Sequence, residues 1–112
     1  MLKSSSVFKH FENHLANPIK FLLTDADWEE LVRHLEEVIP AFKNLLSGKI
    51  KMSEDYYRIC VLIRYGFKSS EIATIMGKTR GAITKTKHIL LVKLFHVDGN
   101  SSELDVRLMD VL

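Results

Sequence analysis

Residues 66–94 read GFKSSEIATIMGKTRGAITKTKHILLVKL. Two apolar-periodic segments lie on either side of Gly77. Ile72, Ala73 and Ile75 mark the buried side of a short helix over about 69–76. Thr79 offers an N-cap for a second helix reaching about residue 95, with Ile83, Leu90, Leu91 and Leu94 inward. From Ile72 to Val97 there is no Asp or Glu, yet Lys78, Arg80, Lys85, Lys87 and Lys93 all fall there. A helix–turn–helix whose second helix is basic and free of acid suits a polyanion, so double-stranded DNA is the expected partner.

The rest of the chain frames this centre. Its 112 residues have the size of one domain or one module of a larger protein. The formal net charge is only +2, but it is unevenly spread. Residues 1–48 are net −2, residues 49–95 net +7 and residues 96–112 net −3. One anion-facing surface between acidic flanks follows from that distribution. No apolar run approaches the roughly 20 residues of a membrane span. The start has no hydrophobic stretch of the kind a secretory signal needs. Cys60 is the only cysteine, so no internal disulfide forms. These features predict a cytoplasmic chain without membrane contact of its own.

Nearly every segment has helical period, predicting an all-α fold. Val7, Phe8, Phe11 and Leu15 form one face of a first helix, which Asn17-Pro18 stops. Thr24 caps the next, with Asp25 and Asp27 in its first turn. Trp28, Leu31, Val32, Leu35, Ile39, Phe42 and Leu46 then recur at three- and four-residue steps. Pro40 interrupts that run, predicting a kinked helix or two helices meeting there. Ser47-Gly48 ends the element. Ser53 caps a helix reaching about residue 65, which Gly66 closes. After the basic centre, Asp98-Gly99-Asn100 is a turn. Ser101 or Ser102 starts a last helix with Leu104, Leu108, Met109 and Val111 on its apolar side. The expected division is a helical segment over 1–50 and a helix–turn–helix domain over 51–112.

Residues 52–111 resemble the LuxR/GerE type of effector domain, itself a relative of the DNA-binding end of sigma factors. The resemblance rests on Met52-Ser53, Gly66, Glu71-Ile72-Ala73, Gly77, Thr79, Ile83 and Lys93-Leu94. It implies four helices of the winged-helix-like superfamily, the third in the major groove and the fourth helping to dimerise. The chain departs from the pattern at Lys68, at Arg80-Gly81-Ala82 and at Thr84. Leu23-Thr24, Asp27-Trp28 and Pro40-x-Phe42 in the first half resemble the segment preceding such domains in large membrane-anchored bacterial regulators.

On helical spacing Thr84, Lys85 and His88 project away from Ile83, Leu90 and Leu94. They are the expected base-reading residues. Lys78, Arg80 and Lys87 suit phosphates, and the Thr79 cap with Gly81 suits a phosphate held on backbone N–H groups. Gly81 has a second reading, a lack of room against a neighbouring helix. The expected function is transcription regulation by a homodimer on DNA. Two alternatives stay open: a sigma-like domain acting with RNA polymerase, and a helix–turn–helix reused for protein contacts.

No catalytic constellation, cofactor motif or metal cluster is visible. His10 and His14 stand four apart but have no third ligand, so they read as solvated histidines. Cys60 reads as a small core residue. The seven-residue stripe Trp28, Leu35 and Phe42 reads as internal packing, with a dimer seam as the alternative.

Overall fold

The computed structural model describes residues 2–47 and 52–111. Among these residues a 3₁₀ turn at Leu2–Ser4 leads into seven α-helices: α1 Ser6–Ala16, α2 Asp25–Val38, α3 Pro40–Ser47, α4 Glu54–Tyr65, α5 Ser69–Met76, α6 Arg80–Phe95 and α7 Ser102–Met109. The fold is all-α, with no strand among the described residues. Gly48 and the expected boundary at residues 50/51 lie outside those residues.

Local chemistry explains where the helices begin. Ser5, Thr24, Ser53 and Thr79 each accept a hydrogen bond from the backbone N–H three residues on. Each thereby satisfies one of the orphan donors of its helix. Asp27 completes a reciprocal box by accepting from the Thr24 backbone N–H at 2.9 Å. Burial pushes the Asp27 carboxyl up, but the Thr24 hydrogen bonds and nearby His10 outweigh it and hold the group below its ordinary range. Pro40 resolves the long apolar run into two helices. It is the first residue of α3, where a missing N–H and a fixed φ cost nothing.

Left-handed residues close three helices. Gly66 (φ 94°) ends α4 and Gly77 (φ 65°) ends α5. His96 ends α6 at φ 56° without the freedom of glycine. His96→Gly is therefore expected to raise stability by about 0.5 kcal/mol, measurable by thermal denaturation.

One core joins the two halves of the chain. Phe11 meets Trp28 edge-on at 4.9 Å, and Phe8 stacks on Tyr65 at 5.7 Å. The buried Tyr65 hydroxyl donates to the Leu31 carbonyl at 2.8 Å, tying α4 to α2. Trp28, Leu35 and Phe42 are all buried in this core. The seven-residue stripe is thus internal packing. Cys60 is fully buried, and burial pushes its thiol up to about 12. Such a thiol has little nucleophilic thiolate at neutral pH. The α1 histidines are not simply solvated. His10 Nε2 lies 3.0 Å from the Leu22 carbonyl, and His14 Nδ1 lies 2.7 Å from that of Phe21. The pair pins the α1–α2 loop to its helix.

Candidate nucleic-acid interface

α5 and α6 are joined by three residues, Gly77, Lys78 and Thr79. α6 seats Ile83, Leu90, Leu91 and Leu94 in the core, each fully buried. Burial of each side chain contributes about 2 kcal/mol, so the rotation of α6 about its axis is fixed. That rotation turns Arg80, Gly81, Ala82, Thr84, Lys85 and His88 outward, all exposed. With exposed Lys78 and Thr79 they form one continuous surface over the turn and the first half of α6.

The predicted residues differ in how committed they already are. Thr79 Oγ1 caps α6 by accepting from the Ala82 N–H at 3.1 Å. Thr84 Oγ1 donates to the Arg80 carbonyl at 3.1 Å, which uses its hydrogen and leaves its lone pairs. Lys78 Nζ lies 3.5 Å from an Asp55 carboxylate oxygen, a surface pair of small value. His88 Nδ1 lies 3.2 Å from the Gly99 carbonyl, and its Nε2 lies 3.7 Å from Asp98. The ring is thus oriented by the α6–α7 turn. Arg80 and Lys85 have no ion-pair partner among the described residues.

Lys87 does not belong to this surface. Its side chain is only 2% exposed and points inward. Its Nζ lies 2.9 Å from one Asp105 oxygen and 3.0 Å from the other, and it donates to Ser69 Oγ at 2.7 Å. The expected phosphate contact is instead a buried ammonium that joins α6 to α7 and to the first residue of α5. The sequence held the signal, because Lys87 stands four after Ile83 and three before Leu90, in phase with the core. On the sequence Ser69 stands as a possible cap of α5 and Asp105 has no assigned role; Ser69 is instead the first residue of that helix. Only their convergence on Lys87 gives them a role.

The structure also separates the two readings of Gly81. A Cβ built there meets nothing within 4 Å. Lack of room against a neighbour therefore does not explain this glycine. Lys68 precedes α5 at its N-cap, where a lysine side chain cannot accept; Glu71 instead accepts from the Lys68 backbone N–H at 2.8 Å.

No protein-family model, curated protein or solved structure matches this chain. No helix among the described residues is long and apolar enough to cross a membrane. The arrangement presents cations, hydroxyls and free helix-end N–H groups to one side, with no carboxylate on the outward face of α6. Its charge suits a polyanion.

Proposed function

We propose that this chain is a DNA-binding transcription regulator that places α6 in the major groove. The supporting observation is the exposed, acid-free face of α6, which opens at a helix N-terminus beside a glycine with open space around it. Thr84, Lys85 and His88 are the base-reading residues in this reading. Lys85 donates to guanine acceptors, and the Thr84 oxygen accepts from a base amino group. Lys78 and Arg80 take phosphates on the groove walls. The N–H groups of Arg80 and Gly81, which a helix leaves unpaired in its first turn, receive another next to the Thr79 cap. The likeness of residues 52–111 to the LuxR/GerE pattern supports the same arrangement of α4 to α7, in the cytoplasm. A homodimer on paired half-sites is part of the proposal. Val106 and Met109, exposed one turn apart on α7, supply an apolar face for it.

Fluorescence anisotropy against mixed-sequence duplex at several salt concentrations tests this directly. Two lysine- or arginine-bound phosphates per protomer predict a slope of log affinity on log salt of about −2 for one protomer and about −4 for the homodimer. No binding at low salt would reject the proposal. Gly81→Ala provides a second check. Alanine is expected to raise folding stability by up to about 1 kcal/mol. The added methyl, standing where the backbone meets phosphate, is expected to weaken DNA binding about fivefold. A variant that gains stability and keeps full affinity would remove Gly81 from the interface.

A further inference from the structure

We infer that the groove between α2 and α4 docks a basic amphipathic helix from a protein partner. The groove encloses about 450 Å3. Trp28 and Val32 from α2 and the ring of Tyr57 from α4 supply its apolar surface. Four carboxylates line it, Asp25, Glu29, Glu36 and Glu54, against the guanidinium groups of Arg33 and Arg58. Both guanidiniums are already engaged. Arg58 pairs with Glu54 at 2.7 Å and lies over the Trp28 ring at 4.5 Å, and Arg33 pairs with Glu37 at 2.9 Å.

Arg58 also lies 3.9 Å from Asp25, which leaves two of the four carboxylates over. Among the described residues Glu29 has no ion-pair partner, and Glu36 accepts only from the Tyr57 hydroxyl, at 2.8 Å. They stand seven residues apart on α2, about 10.5 Å along its axis, with Val32 between them. A helix carrying Lys or Arg seven residues apart, with a leucine-sized side chain between, matches both carboxylates and the apolar floor at once. The acidic lining repels a polyanion, so this is not a second DNA surface. A second copy also fits poorly. On α6 the basic pair seven apart is Arg80 and Lys87, and Lys87 is buried.

Trp28 is the only tryptophan and lines the groove, so its emission reports occupancy in the intact chain. The probe is a synthetic helical peptide of about 16 residues without Trp or Tyr, bearing two lysines seven apart around a leucine. Its counterpart carries glutamates in their place. The lysine peptide is expected to change Trp28 emission saturably, and the glutamate peptide is not. Glu29→Lys with Glu36→Lys should weaken the lysine peptide about tenfold and admit the glutamate peptide in exchange. Should the double variant unfold, Glu29→Lys alone, at an exposed position, is expected to weaken binding about threefold. Equal response to both peptides, no response to either, or affinity unchanged by charge reversal would overturn the inference. So would a dimer in sedimentation that Glu29→Lys dissolves, which would place a second copy in the groove.

Discussion

Asp105→Ala is expected to destabilise the protein by about 3 kcal/mol, lowering Tm by roughly 12 °C in calorimetry. Its carboxylate is the only charge paired with the Lys87 ammonium among the described residues, at 2.9 Å. Without it a buried cation keeps only the Ser69 hydroxyl. Lys87→Met makes the contrast. Methionine keeps most of the side-chain volume, and Asp105, whose side chain is 39% exposed, can be hydrated once the ammonium is gone. Its cost is expected to stay below about 1.5 kcal/mol. The asymmetry is the test. Equal losses would mean that the pair contributes through packing, not through compensation of a buried charge.

The second large effect concerns DNA. Lys85→Ala is expected to cost about 1–3 kcal/mol of binding and to relax preference at one base position. Arg80→Ala should weaken all sequences alike and make the salt slope shallower by about one per protomer. Lys87→Met should leave that slope unchanged, because its ammonium is held 2.7 Å from Ser69 inside the fold. Anisotropy titrations on matched and mutated duplexes check all three. If Lys85→Ala and Arg80→Ala behave identically on every duplex, the division between base and phosphate contacts is wrong.

Much of this fold was legible before any coordinates. Thr24, Ser53 and Thr79 cap helices because their hydroxyls reach backbone donors three residues on, which is local chemistry. Gly66 and Gly77 close helices for an equally local reason. What sequence reading missed depends on tertiary convergence. The charge of Lys87 suggests a phosphate contact, but its phase with Ile83 and Leu90 places it on the buried side. Ser69 comes from α5 and Asp105 from α7, and no spacing along the chain announces their meeting. The same holds for His10 and His14, whose partners at Leu22 and Phe21 lie in a loop folded back on α1. The two readings of Gly81 could be told apart only by the space around its Cα. The outward face of Thr84, Lys85 and His88, by contrast, follows directly from helical period once the core face is known.

The most direct test of the central claim is selection from a randomised duplex pool by the purified chain, with sequencing of the bound fraction at two salt concentrations. A DNA-reading α6 predicts an enriched motif whose occupancy falls steeply with salt, with half-sites about 10 base pairs apart for a dimer. Recovery of no enriched sequence, with Lys85→Ala returning the same pool as the parent chain, would contradict sequence reading by α6.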